Sequence, residues 1–323
     1  MLKKIFKDSV LIKRIHILLL NLLTLFFKPL KYFLNVLNNL RIIKLLVYYC
    51  LPSDKLILRS VGNSKFIIST NDFVNSKKIY VNSSFPQYSE FCKAKNILNS
   101  LNYDLNSLVD VGSHYGNIVI PAVINHKLET AYAFEPINNN FEILNMNISI
   151  NKLNSVIRPR KVFVSDHNKT TKIHTYSNNS AAALSADNLN SLSKKRYINI
   201  NNLKESTTES IKTVKLEDEF EYNDLGKPIF WLYAQGSEYN IINGSKSLFK
   251  HHPPTVIAYS PLLYKYNKLS SEKFYKLLSE LNYKNVFDLD APQDIPKKND
   301  LSYLLGLDNN LHSSSSTRLL LFN

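Results

Sequence analysis

The stretch most suited to chemistry is Asp110-Val111-Gly112-Ser113-His114-Tyr115-Gly116-Asn117. An apolar run, Leu108 to Val111, carries an acid near its end and passes into a turn with two of the chain's seven glycines. Such a turn lets backbone approach a ligand with no Cβ in the way, and the amides opening the next helix then face that ligand. The spacing is D-x-G-x-x-x-G. A dinucleotide fingerprint needs a glycine between these two, where Ser113 and His114 stand, and no G-K-S/T follows for a triphosphate loop. About 25 residues on, Ala131 to Phe134 is a second apolar run, closed by Glu135-Pro136. A carboxylate at the end of a second parallel strand can accept both hydrogen bonds of a ribose diol. Lys161 to Val164 reads as a third strand, with Ser165 and Asp166 at its end, where an adenine ring would rest.

These strand ends need helices between them. Ile118–Ile124 and Phe141–Ile150 have the apolar spacing for two. Upstream, Leu56–Leu58, Lys65–Ser69 and Lys78–Val81 are short runs separated by turn residues, read as strands of an antiparallel leader, and Phe91–Leu101 as a connecting helix. Residues 177–213, rich in Ser, Asn, Lys and Thr, read as a loop-and-hairpin insertion, a lid on the acceptor side. The final run Leu319–Phe322 is expected to add an edge strand or pack as a tail. The division expected is a basic helical segment over 1–52, the leader and its helix over 53–100, and an α/β domain over 101–323.

Composition agrees with a folded protein: 44% hydrophobic residues and 37 aromatics are too many for a disordered chain. The net charge of +14 is concentrated at the amino terminus, where residues 1–50 hold nine Lys and Arg against Asp8 alone. The uncharged run Ile15–Phe27 is shorter than the roughly 20 residues of a spanning helix, and no small-residue cleavage site follows it. Packing of these helices on the main domain and a basic, amphipathic contact with an anionic membrane surface both fit. Nucleic acid is not expected, because the basic residues alternate with aliphatics and form no stacking platform. Cys50 and Cys92 share no metal or disulfide spacing, no metal site is expected, and a reducing, cytoplasmic setting follows.

In order, Asp110–Gly116, Ala133–Pro136, Asn147–Asn151, Val164–Asp166, Ile229–Glu238 and Thr255–Pro261 resemble the motifs of the FkbM methyltransferases, and the likeness covers most of residues 60–290. The resemblance implies a class I methyltransferase fold, Rossmann-like, with a mostly parallel sheet and helices on both faces. It implies S-adenosyl-L-methionine as cofactor, with Asp110, Gly112, Gly116 and Glu135 at its cofactor-binding positions, and a hydroxyl acceptor on a sugar, glycan or small natural product. His114 in the turn and Ser165 and Asp166 at the third strand end are further cofactor-binding candidates by their places in the chain, Asp166 equally a turn acid. Two acids of the family pattern are replaced, by Tyr233 and by Ala258. The catalytic candidates are then Glu238, Tyr233, Glu217 and His114. Tyrosine, with an ordinary pKa near 10, makes a poor base. The replaced acids support an alternative, a binding or scaffold protein that keeps the fold without turnover. A nucleotide-sugar or nicotinamide enzyme is disfavoured by the missing central glycine. His114 can equally be a plain turn residue, and His251-His252 precede Pro253-Pro254 in a loop.

Overall fold

The computed structural model describes residues 41–176, 179–182, 184–185, 204–291, 297–310 and 316–323. The apolar run 15–27 and most of the insertion lie outside them. The chain forms two compact units, Met1–Leu51 with Tyr80–Asn82, and Pro52–Ile79 with Ser83–Asn323. In the first, helix α1 (Arg41–Cys50) buries Tyr48 5.4 Å from the Tyr80 ring. Its other face leaves Ile42, Leu46 and Tyr49 exposed. No helix among the described residues is long and apolar enough to cross a membrane.

The second unit opens with an antiparallel hairpin, β1 (Leu56–Val61) and β2 (Ser64–Ser69). Lys78–Val81, expected as a strand, lies instead in helix α2 (Asn75–Asn82). The Asp72 carboxylate decides this locally by accepting the N–H groups of Val74, Asn75 and Ser76 at 2.9–3.1 Å, which satisfies donors a helix start leaves open. Helix α3 (Tyr88–Ser100) then leads to β3 (Ser107–Val111). Helices α4 (Val119–His126) and α5 (Asn138–Ile150) connect β3 to β4 (Thr130–Phe134) and β4 to β5 (Ile157–Arg160).

The third parallel strand is therefore Ile157–Arg160, not Lys161–Val164. Pro159 makes that segment read as a loop, but β5 is an edge strand, where a missing N–H costs the ladder little. Phe163–Val164 is β6, paired in a second sheet with β9 (Glu205–Val214). Strand β9 also pairs antiparallel with β7 (Thr170–Tyr176), which pairs with β8 (Leu184–Ser185).

The main sheet continues through β10 (Pro228–Leu232), helices α6 (Glu238–Gly244) and α7 (Lys246–Phe249), β11 (Thr255–Tyr259), helices α8 (Pro261–Tyr266) and α9 (Ser271–Glu280), β12 (Asn285–Asp288), β13 (Lys298–Asp300), α10 (Leu307–Asn310) and β14 (Thr317–Phe322). Its order is β13-β12-β14-β11-β10-β3-β4-β5. The five strands from β11 to β5 are parallel, and β14, β12 and β13 are antiparallel additions. Strands β3, β10 and β11 are buried along their whole length, as a doubly covered parallel sheet requires. Strand β14 is interior rather than an edge, seated between β11 and β12 with Leu319, Leu320 and Leu321 sealed from solvent. Leu321→Ala is accordingly expected to cost about 3 kcal/mol, by lost burial plus a cavity, and urea titration should show it as a lower midpoint at unchanged slope.

Two asparagines, Asn147 on α5 and Asn151 at its C-cap, fasten the hairpin to that helix. Asn147 accepts from Ile67 N at 2.6 Å and donates to Ile67 O at 3.0 Å; Asn151 treats Lys65 the same way. Four residues along a helix span about 6 Å and two along a strand about 6.6 Å, so the i, i+4 pair on α5 matches alternate residues on β2. Asn147 also donates to Tyr115 O at 3.0 Å, tying the glycine turn to the same clamp.

Candidate active site

Strand order reverses at β3, since the chain builds β4 and β5 on one side and β10 and β11 on the other. At such a switch point the connections leave in opposite directions and open a crevice beyond the strand ends. The ends are level there: Gly112 N donates to Phe134 O at 2.9 Å, and Tyr233 N to Val111 O at 2.9 Å. A cavity of about 250 Å³ occupies the crevice. Its walls include Asp110, Gly112, His114, Asn117, Glu135 and Asn140 from the first two strand-turn units, Val162–Val164 below, and Trp231, Tyr233 and Gln235 from the end of β10.

Gly112 has φ +86, and a Cβ there would overlap the carbonyl oxygen of Tyr233, so only glycine lets β3 and β10 come this close. Gly116, at φ +93, has Ile120 and Leu144 side chains against it. The Glu135 carboxylate accepts His114 N at 2.8 Å, Ile137 N at 3.0 Å and Asn140 Nδ2 at 3.1 Å, bracing the glycine turn against α5. Burial outweighs those donors and raises its pKa to about 7. Burial likewise raises Asp110 to about 7, with the Glu135 charge adding to the effect. Asp110 Oδ2, Asn117 Oδ1 and Asn140 Oδ1 are buried in this wall without a protein partner. A sealed polar atom costs about 1–3 kcal/mol unless something pairs with it, so the cavity is built for a ligand with several hydrogen-bonding groups. The residues fit S-adenosylmethionine: polar acceptors beside an apolar shelf formed by Val162 and Val164.

His114 has φ +54 and is buried, with Nε2 2.6 Å from Ser180 Oγ and 3.7 Å from Asp72 Oδ2. Serine, histidine and aspartate are thus together, but both partners approach the same ring nitrogen, whereas a nucleophile triad needs the carboxylate on the opposite one. Nδ1 faces Asn117 Nδ2 at 3.3 Å. Burial lowers the His114 pKa to about 4, against the pull of Asp72, so the ring is neutral at pH 7 and a weak base.

The remaining candidates scatter. Tyr233 lines the cavity, and burial raises its pKa while the Arg318 guanidinium works against that rise. Glu238 does not line the cavity. It is sealed beneath the loop, accepting Ala234 N at 2.8 Å and Tyr264 Oη at 3.2 Å, and burial raises it to about 7. Glu217 lies in a separate hollow with Tyr222 and His251, taking the Ser247 hydroxyl at 2.6 Å. Ser165 and Asp166 pack against Gly244 of α6, where a Cβ would overlap Asp166, and the residues before them form the shelf instead. Among the described residues no group of three or more His, Cys, Asp or Glu is arranged to hold a metal ion.

Sequence reasoning missed Asn140, Gln87 and Ser180 and gave Asn117, at the end of the glycine turn, no role, though all four are in the cavity wall. From sequence Glu90 reads as a site residue or, preferably, a helix-start acid; what sequence does not show is Arg318, which pairs with Glu90 at 3.0 Å and with Asp290 in a cluster beside Tyr233. In the β11–β14 register Arg318 stands opposite Ala258, so charge returns to the neighbourhood of the replaced acid from other elements.

No curated protein matches the chain. Among solved structures, TYW2 of M. jannaschii in complex with AdoMet shares 11% identity over 84% of this chain and 88% of that one, with a TM-score of 0.39. TYW2 of P. horikoshii in complex with MeSAdo shares 10% over 84% and 73%, with a TM-score of 0.37. The family model for the methyltransferase FkbM domain matches residues 110–285, more than half of the chain and the whole span from Asp110 to β12. On that match the chain belongs to the FkbM methyltransferase domain family, with S-adenosylmethionine as its cofactor.

Proposed function

We propose that this methyltransferase acts on a neutral hydroxyl of a sugar, a glycan or a small natural product. The observation that carries the reading is that Gln87, Tyr233 and Gln235 line the cavity with amides and a phenol, with Lys78 beside them and no carboxylate on these three residues' elements among the lining. Such groups orient a hydroxyl acceptor without demanding that it be ionic, and in-line placement alone can supply much of the rate. The cofactor, when bound, supplies an electrophilic methyl group. Tyr233 holds the acceptor hydroxyl, and the proton leaves toward Asp290, whose carboxyl pKa is raised by burial beside Arg318, while Glu90 pairs with the same guanidinium and stays ionised. Glu238 braces the Ala234 loop in this reading, and Glu217 has no part in the chemistry. The acceptor is a small molecule or glycan rather than a nucleic acid.

A second reading is favoured by Tyr233 and Ala258 alone: a protein that binds the cofactor and has lost turnover. Calorimetric titration with S-adenosylmethionine, run beside Glu135→Ala, tests the common part. Micromolar binding is expected, weakened more than about 30-fold in the variant, because three donors and a ligand lose their acceptor. Transfer of labelled methyl to any member of a panel of glycosides and phenolic esters would then exclude the second reading. Binding without transfer to any of them would favour it.

A further inference from the structure

The hydrogen-bond count at Glu135 does not allow it to hold a ribose by itself. An ionised carboxylate offers about four acceptor positions. Three are taken, by His114 N, Ile137 N and Asn140 Nδ2. One remains, and a ribose diol brings two hydroxyls.

Asn140 supplies the missing acceptor. Its Nδ2 donates to Glu135 Oε1 at 3.1 Å and to the Ser180 carbonyl at 2.9 Å. Turning the amide over would set its oxygen against two acceptors, so the orientation is fixed by its partners. Oδ1 consequently points away from both, is buried and has no protein partner, in a residue only 1% exposed that lines the cavity. Ser180 belongs to the segment following β7 and is itself held by His114 Nε2 at 2.6 Å. The stretch Asn179–Ala182 of the insertion thus lines the cavity on the cofactor side, with Ser180 against His114 and Asn140.

Resting on the reading of this cavity as the S-adenosylmethionine site, we propose that the ribose diol is divided: Glu135 accepts one hydroxyl and Asn140 Oδ1 the other, with Ser180 of the insertion fixing the Asn140 amide. Asn140 is a binding residue here, and Ser180 a positioning residue.

The test is a cycle between protein and ligand, read by calorimetry with S-adenosylhomocysteine and its 2′-deoxy and 3′-deoxy analogues. The full chain is expected to bind each deoxy analogue about tenfold more weakly than the parent, one hydrogen bond each. In Asn140→Leu the parent weakens about tenfold and one deoxy analogue now binds as well as the parent, while discrimination against the other persists. Glu135→Gln gives the opposite assignment. Ser180→Ala moves the same ratio as Asn140→Leu, by about threefold. Should Asn140→Leu fail to fold, Asn140→Ser takes its place. Asn140 variants that still discriminate against both analogues, or lose both discriminations together, would overturn the division. Absence of any binding by the unaltered chain would instead overturn the cofactor reading beneath it.

Discussion

Replacing Gly112 with alanine is expected to abolish S-adenosylmethionine binding and to destabilise the fold. The backbone at φ +86 disfavours any L-residue, and the added Cβ would overlap the Tyr233 carbonyl oxygen. Neither partner can retreat cheaply. Tyr233 N is bonded to Val111 O at 2.9 Å, and Gly112 N to Phe134 O at 2.9 Å, so the contact lies between two ladders. Backbone strain of about 1–2 kcal/mol and overpacking of about 1–3 kcal/mol add to a loss of roughly 2–5 kcal/mol. That corresponds to a fall in Tm on the order of 10 °C for a domain of this size. Binding suffers more, because a shift of about 1 Å in a turn that presents backbone to the ligand can cost about 100-fold. Gly62→Ala is the control: φ is +55, but nothing lies within 4 Å, so strain appears without overlap. Calorimetry and thermal unfolding of both variants decide the matter. Unchanged cofactor affinity in Gly112→Ala would remove the turn from the site.

That turn was legible because its constraints are local. Asp110, Gly112, Gly116 and Glu135 announce themselves through residue type and spacing, and β3, β4 and the helices after them follow from the apolar runs between. Features set by distant partners were hidden. Pro159 argues against a strand until the neighbour on only one side is known. Lys78–Val81 alternates like a strand, yet the Asp72 carboxylate six residues before it starts a helix. Leu319–Phe322 looks like a tail because nothing in its own sequence says that β11 and β12 leave a gap between them. Asn140 sits in a run of three asparagines in a chain rich in that residue, so its type carried no weight. Ser180 and Arg318 reach the site from 66 and 204 residues beyond His114, a distance no spacing rule covers.

Lowering the pH from 7.5 to 5.5 is expected to stabilise the fold and weaken cofactor binding, an opposition built into the same side chains. Asp110, Glu135 and Glu238 are each raised to about 7 by burial, from ordinary values of 3.8 and 4.5. The folded state therefore binds more protons than the unfolded chain between about pH 4.5 and 7. Stability from these groups is present at low pH and lost as the pH rises through 7. One such carboxyl contributes about 2 kcal/mol across the interval from pH 7.5 to 5.5. Asp110 and Glu135 repel each other and share their titration, so the three sum to less than three times that. His114 acts the other way: kept neutral by burial, with a pKa lowered to about 4, it costs about 1 kcal/mol at pH 5.5, where the unfolded imidazole is protonated. The carboxyls win, and Tm should climb on acidification until His114 and the exposed acids reverse it below about pH 5. Glu238→Gln, which keeps the neutral shape, should flatten the profile by about 2 kcal/mol and leave cofactor affinity alone, because Glu238 lies outside the cavity wall. Asp110→Asn should flatten it similarly while weakening the cofactor. Binding needs Asp110 and Glu135 as acceptors for a cationic ligand, so affinity should rise between pH 6 and 8, over the range in which stability falls. A Tm that rises with pH over that range would mean these carboxyls are ionised in the folded protein, and the sealed acceptors of the cavity would then have to be paired by another route.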